Sequence, residues 1–490
     1  MKPPAAFLMQ SNRTSDVSDY DPDDWNRALT GSARQQRAVA KSARDEAGIV
    51  SFSEEQAALA FAAKQEGKMV WDHTAGQWFL FSKGKWTVDG IGEANDRARQ
   101  FLRDLQATPG ISEGERKAMG KLSFTRNVLE FAKSDTRIAV HHGVWDADPW
   151  LLGVPGGVVD LKTGKKRDAK PGEYISRNTF IAPAAPSSDP VLWRSFLIEA
   201  TANDPETIAF LQRLCGYFLT GDVTEEMLAF LYGSGGNGKG VFVTTVTTIL
   251  GGYAVAAPMG AFTADSRMNV EYYRARMAGS RLVTASETEA GHAWAESQIK
   301  ELTGNEAPVS ARQPFGRPFE YWPQYKLMFV GNHAPRLKGR SKAMERRLRI
   351  VPFDNEPAQP DHTLKTRLEA EYPAILQWMI EGCLAWQQQR LGTAPAIAAK
   401  TAEYFDLQDA FGRWIGERCT LDAAFSARPG ALYGDFRNWA KANGEHAPSN
   451  QEFAENINRR KGLFRRRVRG QDWVGGIKLK ELDDDFSTPA

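Results

Sequence analysis

The sequence predicts an α/β protein organised round a phosphate-binding glycine loop. Three stretches carry that expectation: MLAFLYGSGGNGKGVFVTTVTTIL (227–250), RLVTASETE (281–289) and YKLMFVGNHAP (325–335). Each contains an apolar run of buried-strand length followed at once by polar residues suited to phosphate, metal or water.

In the first stretch, MLAFLY reads as a buried parallel strand. VFVTTVTTIL has helix length and stops at Gly251-Gly252, a plausible cap. Strand, glycine loop and helix in that order is the context a phosphate loop requires. Gly233, Gly235, Gly236 and Gly238 let the amides of a loop that includes Ser234 and Asn237 curl inward round an anion. The helix start adds partial positive charge, and Lys239 reaches the β- and γ-phosphates. The pattern G-x-x-x-x-G-K-[ST] ends on a hydroxyl that ligates Mg²⁺, and here Gly240 stands in its place. ATP is the expected ligand, with a water filling the vacant Mg²⁺ position and the metal held more loosely.

An ATPase also needs a carboxylate at the end of a strand beside the loop strand. Glu287 is the expected principal acid and metal ligand, with Glu289 as its partner. A solvated acidic loop is the competing reading. Asn332, at the tip of the third apolar run, is placed to orient the attacking water, although Asn is also a common turn former. Between these runs, IKELTGNEAPVSARQPFGRPFEYWP (299–323) reads as a helix and then a projecting hairpin. Arg312, Phe315 and Arg317 give that hairpin the cation and aromatic that single strands favour. SKAMERRLRIVPFD (341–354) sets Arg346 and Arg347 before a strand, where an arginine presented to a neighbouring subunit's γ-phosphate would stabilise transition-state charge. A surface ion pair is the alternative for those arginines.

Composition bounds the rest. A chain of 490 residues with 42% apolar and 25% charged residues is ordinary for globular proteins, and long enough for about three domains. A net charge of +2 means that any basic surface is local. Cys215, Cys383 and Cys419 are far apart and form no zinc-ligand spacing. No apolar run suits a signal peptide or a membrane span, so the expected location is cytoplasmic and away from membranes.

Residues 1–48 read as a mobile polar tail, and 49–185 as an N-terminal α+β domain. That domain opens on a capped helix (Ser53 with Gln56), then paired aromatic strands in VWDHTAGQWFLFSKGKWTVD, helices near 92–107 and 113–134, and short strands through 148–165. The proline-rich stretch IAPAAPSSDP (181–190) is the expected linker. The core is expected over 190–400, a small C-terminal domain over 401–480 and an acidic tail over 481–490.

In sequence order, GSGGNGKGVF, RLVTASETE, IKELTGNEAPVSAR, LMFVGNHAP and ERRLRIVPF resemble the superfamily 3 helicase core of phage and plasmid primase-helicases, a core that poxvirus primase-helicases share. The resemblance implies an AAA+-like core working as a homo-oligomeric ring, usually a hexamer, on DNA. By motif, Lys239 matches the phosphate lysine, Glu287 and Glu289 the acidic motif, Asn332 the sensor, and Arg346 or Arg347 the arginine finger. Lys300 matches a basic residue preceding the DNA-contacting hairpin. WDADPWLLGVPGGVVDLKTGK is similar to the region before such cores, so the likeness spans roughly 50–480. No acidic primase triad or zinc finger precedes residue 50, which implies unwinding without primer synthesis and a separate primase or replication proteins as partners.

ALYGDFRNWAKANGEHAPSNQEFAENINRRKGLFRRRVRGQDWVGGIKL resembles the winged-helix region that ends many of these proteins. Its capped second helix (Ser449 with Glu452) leads into Arg459, Arg460, Lys461, Arg465, Arg466, Arg467 and Arg469, an electrostatic footprint for phosphates. The expected activity is ATP-driven unwinding of DNA in the replication of a phage, plasmid or mobile element, on single-stranded and forked substrates. Hydrolysis would move the 312–317 hairpin along a strand. The alternatives are a DNA-binding initiator or scaffold that uses ATP only to assemble, which Gly240 favours, and a P-loop kinase, which the acid, Asn and Arg motifs disfavour.

Overall fold

The structure, a computed structural model, describes residues 52–480 apart from 265–267, 269, 287–291, 314, 315, 317, 338–340, 358 and 446–448. The expected tails, and with them residues 1–48 and 481–490, lie outside the described residues. Contacts divide the chain into two units, one of 52–80 with 88–141 and one of 81–87 with 142–480.

The first unit opens with α1 (Glu54–Gln65), whose Ser53 hydroxyl and Gln56 amide form the expected capping box. Strand β1 (Met69–Asp72) pairs antiparallel with β2 (Gln77–Ser82), Met69 facing Leu80. After β3 (Lys85–Val88) comes α2 (Glu93–Gln106). The single helix expected over 113–134 is two, α3 (Glu113–Met119) and α4 (Leu122–Ala132). Gly120 ends the first, and extended backbone at Lys121 starts the second. Strand β4 (Ala139–Val140) lies parallel to β1. Phe61 of α1 packs on Phe101 of α2, ring centroids 5.4 Å apart, in a core that includes Val128 and Leu129 of α4.

In the second unit, β5 (Leu151–Val154), β6 (Gly157–Asp160) and β7 (Lys165–Arg167) form a small antiparallel sheet. The 181–190 segment is irregular, as its prolines predict, but the unit boundary falls at 141/142. The reason is burial: Leu152, Val154, Val159 and Leu161 enter the same core as Trp193, Phe210 and Trp378, which ties this small sheet to the chain that follows.

Helices α5 (Val191–Ala200) and α6 (Pro205–Phe218) precede β8 (Leu228–Tyr232) and α7 (Lys239–Leu250). Then come β9 (Ala254–Ala256), α8 (Val270–Met277), β10 (Leu282–Ser286) and α9 (Glu296–Thr303). The expected hairpin is β11 (Val309–Arg312) with β12 (Pro318–Tyr321), Arg312 facing Pro318. Strand β13 (Lys326–Gly331), α10 (Lys342–Arg347) and β14 (Leu348–Pro352) complete a five-stranded sheet of order β14-β8-β13-β10-β9, in which neighbouring strands pair parallel. Both faces of this sheet are covered. Ala229 and Leu231 of β8 enter one core with Met328 and Val351, while Leu228 and Phe230 enter the other with Phe329 and Ile350. Burial on two faces explains why these strands read as continuous apolar runs rather than alternating ones.

Two cations are buried at the amino ends of β10 and β13. Arg281 donates to the carbonyls of Leu219 and Leu151, and Lys326 to that of Thr220. Both therefore meet the carboxyl end of α6, where a helix favours positive charge. Burial nevertheless pushes the Lys326 ammonium well below its ordinary value.

Helices α11 (Leu364–Glu369), α12 (Tyr372–Gln389) and α13 (Pro395–Gln408) follow. The C-terminal part contains α14 (Ala410–Arg418), β15 (Cys419–Ala427), α15 (Pro429–Ala442), α16 (Asn450–Arg459), β16 (Phe464–Val468) and β17 (Gln471–Leu479). Its three strands are antiparallel in the order β15-β17-β16 and cover a core of Trp414, Phe436 and Phe453. A two-residue turn joins β16 to β17, with Arg469 and Gly470 both at positive φ (52° and 77°).

Candidate active site

Parallel strands bring their carboxyl ends to one edge. Tyr232 of β8 lies opposite Gly331 of β13 and Pro352 of β14, and Ser286 of β10 lies opposite Val330. The glycine loop, Asn332, the end of β10 and Phe353 therefore lie along this edge. The register corrects one expectation: the acid-bearing strand is not beside the loop strand, because β13, which carries Asn332, lies between them. Glu287 and Glu289 themselves lie outside the described residues. Asn332 is exposed at the strand tip.

The loop runs from Gly233 to Gly238 and ends directly on α7, whose first turn has no side-chain cap. Its leading amides are thus available to an anion. Gly236 (φ 65°) and Gly238 (φ 83°) hold left-handed backbone, and a Cβ on Gly238 would stand 2.7 Å from the Phe196 ring. Gly240 differs. It is exposed, with no atom within 4 Å of where a Cβ would be, so packing does not require glycine there.

Lys239 is 6% exposed. Its Nζ donates to the Gly233 carbonyl at 2.8 Å and to Asn237 Oδ1 at 2.7 Å. The Asn237 amide in turn donates to the Phe353 carbonyl, which anchors the loop to the end of β14. Burial pulls the Lys239 pKa below its ordinary value, and the charges of Asp354 and Glu356 act against that pull. Ser234 donates its hydroxyl to Glu356 at 2.7 Å. Sequence reasoning missed Asp354 and Glu356. The signal was present: carboxylates directly after the apolar run of β14 follow the same rule that singled out Glu287. It also missed Lys400 of α13, whose ammonium sits 5.2 Å above the Tyr232 ring and 3.1 Å from Glu403.

The two candidate finger arginines part company. Arg347 is 6% exposed and fully engaged within its own chain, at 2.6 Å from Glu226 and 3.0 Å from the Thr303 hydroxyl. It serves as a structural ion pair between α10 and the approach to β8. Arg346, one residue earlier, is exposed. Lys300 on α9 is half-exposed, 3.9 Å from Glu296. Arg312 is exposed on the hairpin and donates to the Gly316 carbonyl, while Phe315 and Arg317 lie outside the described residues.

Among the C-terminal arginines, Arg460 pairs with Asp409 at 2.9 Å and so helps hold the start of α14. Arg465, Arg466 and Arg467 are exposed along β16. Arg459 closes α16, and its side chain lies outside the described residues. Among the described residues, no helix is long and apolar enough to cross a membrane, and no group of three or more His, Cys, Asp or Glu is placed to hold a metal ion.

Comparison with known proteins adds ancestry to this geometry. Residues 58–202 match the family described as D5 N terminal like, and residues 231–347 match a family of unknown function (DUF5906). The chain is thus similar to D5-type proteins over residues 58–202. The chain is 26% identical over 259 residues to the candidate helicase 022R of Frog virus 3 (isolate Goorha), covering 48% of this chain and 26% of that protein. It is 23% identical over 325 residues to the candidate helicase L207/L206 of Acanthamoeba polyphaga mimivirus, covering 61% and 34% respectively. The chain thus spans about a quarter to a third of the length of these curated relatives. The apo structure of the NrS-1 C terminal region (305-718) superposes with a TM-score of 0.47 at 9% identity, over 87% of this chain and 99% of that one.

Proposed function

We propose that the protein is an ATP-hydrolysing DNA helicase of superfamily 3, working as a ring in the replication of a phage, plasmid or other mobile element. The observation that carries this reading is the register of the parallel sheet. It aligns the glycine loop, Asn332 and the end of β10 at one edge, with Asn332 on the strand next to the loop strand. The names of the viral relatives agree with it.

In this reading the loop amides and Lys239 hold the triphosphate. Lys239 first releases Gly233 and Asn237, its partners here. Mg²⁺ would ask little of the protein here. That ion tolerates one or two carboxylates, with phosphate oxygens and waters completing its octahedron, and needs no all-protein cage. Glu287 would be its protein ligand, and Gly240 contributes no hydroxyl. Bound Mg²⁺ would neutralise charge developing on the phosphates. Asn332 orients the attacking water at the strand tip. Arg346 reaches the γ-phosphate of a neighbouring copy, since Arg347 is engaged with Glu226. The Arg312 hairpin and Lys300 contact single-stranded DNA.

Hydrolysis measured with and without single-stranded DNA, together with strand displacement on a forked duplex, tests the proposal. DNA-stimulated hydrolysis and displacement, both lost in Glu287→Gln, are expected. ATP-dependent assembly on DNA without displacement would instead favour the initiator or scaffold reading, for which Gly240 is the motivating feature.

A further inference from the structure

The outward face of the C-terminal sheet is built from aromatics and arginines together. Strand β16 pairs Phe464 with Gly475, Arg466 with Trp473 and Val468 with Gln471, so these six share one face. On the other face Val474, opposite Arg465, is buried in the core with Trp414, while Arg465 itself stays exposed at the edge. The pairing with β15 shifts register between Leu421 and Ser426, opposite Gly476 (φ 88°), and beyond that point Ile477 is buried and Lys478 exposed. On the outward face Phe464 is 48% exposed and Val468 42%. The Arg428 guanidinium lies 4.5 Å over the Trp473 ring, and Arg466 donates to the Ser426 hydroxyl at 2.7 Å.

Duplex backbone binding needs only cations. A patch that also exposes a phenylalanine next to a partly covered tryptophan has the chemistry of single strands, whose bases offer ring faces as well as phosphates. We propose that this face binds single-stranded DNA, bases stacking on Phe464 and Trp473 while Arg428 and Arg466 neutralise phosphates. The site is separate from the β11–β12 hairpin, and it deepens the DNA reading above, on which it rests.

The test uses the full chain without nucleotide. A labelled oligothymidylate and a blunt duplex of equal length are titrated over a salt series. Phe464→Ala is expected to weaken single-strand binding about tenfold with an unchanged salt slope. Arg466→Ala lowers that slope by about 0.7, one single-strand phosphate contact. Phe464→Tyr retains binding, and duplex affinity is unchanged by either Phe464 variant. Phe464 packs against Gly475, so Phe464→Leu keeps the bulk without the ring and is expected to lose as much as alanine. Single-strand binding indifferent to Phe464→Leu, or an equal loss on duplex, would overturn the assignment of this face. A wild-type chain that binds neither oligonucleotide would overturn the DNA reading itself, whatever its ATPase does.

Discussion

Lys239 and Asn237 are joined at 2.7 Å, and through Asn237 the lysine is tied to the backbone of Phe353. In this state the ammonium is buried and its pKa lies below the ordinary 10.5. Bound phosphates would raise that pKa. The sign follows: ATP binding takes up a proton, and affinity falls as pH rises through the depressed value of the empty site. Calorimetric titrations in alkaline buffers of different ionisation enthalpy should show net proton uptake. Asn237→Ala, which removes an acceptor that favours the charged ammonium, should enlarge that uptake. No buffer dependence at alkaline pH would contradict this account of the loop.

Gly240 occupies the position of the missing hydroxyl in open space. Gly240→Ser is therefore expected to fold with an unchanged melting temperature. Its hydroxyl should ligate Mg²⁺ directly, lowering the half-saturating Mg²⁺ concentration for hydrolysis several-fold. A Mg²⁺ titration identical to wild type would show that the loop serine position contributes nothing in this protein.

Much of this was readable in the residues. The β8–loop–α7 unit, the capping boxes at Ser53 and Ser449 and the turns of the small sheet are set by local chemistry: apolar runs, glycines and short-range side-chain bonds. What the residues did not show depends on distant partners. Nothing local says that β13 lies between β8 and β10, because strand order is fixed by crossovers through helices. Nor can two adjacent arginines be told apart until Glu226 and Thr303 are seen beside one of them. The unit boundary at 141/142 likewise follows from where Leu152 and Val159 are buried, which composition does not reveal.

That difference between Arg346 and Arg347 has measurable consequences. Arg347→Ala removes a buried guanidinium that bonds Glu226, itself 33% exposed, and the Thr303 hydroxyl, at a cost of about 2 kcal/mol, visible as a lowered urea midpoint. Arg346→Ala should unfold like wild type and bind ATP normally, yet lose hydrolysis by about a thousandfold. If the site is shared between copies, mixing Arg346→Ala with Lys239→Ala chains restores part of the activity, because some seams then carry both wild-type residues. Full hydrolysis by Arg346→Ala would remove this arginine from the mechanism.

A last prediction concerns acid and the C-terminal part, where Asp435 accepts from Arg418 at 2.8 Å and from the Trp414 indole at 2.8 Å. Burial pushes its carboxyl up, but the bonds from Arg418 and Trp414 win and leave it below the ordinary 3.8. A carboxylate held lower in the folded state contributes stability above its ordinary value and loses it as pH falls through the depressed one. Asp435→Asn removes that term. Near neutral pH it should cost about 2 kcal/mol in urea unfolding, since bonds to a charged acceptor are lost. The gap between wild type and variant should stay level above the ordinary carboxylate range, narrow as pH falls below 3.8, and close once pH has passed the depressed value, where both carry an uncharged group. A gap that stays constant into acid would mean that the pair holds the helices by packing and neutral hydrogen bonds, with its charge contributing nothing.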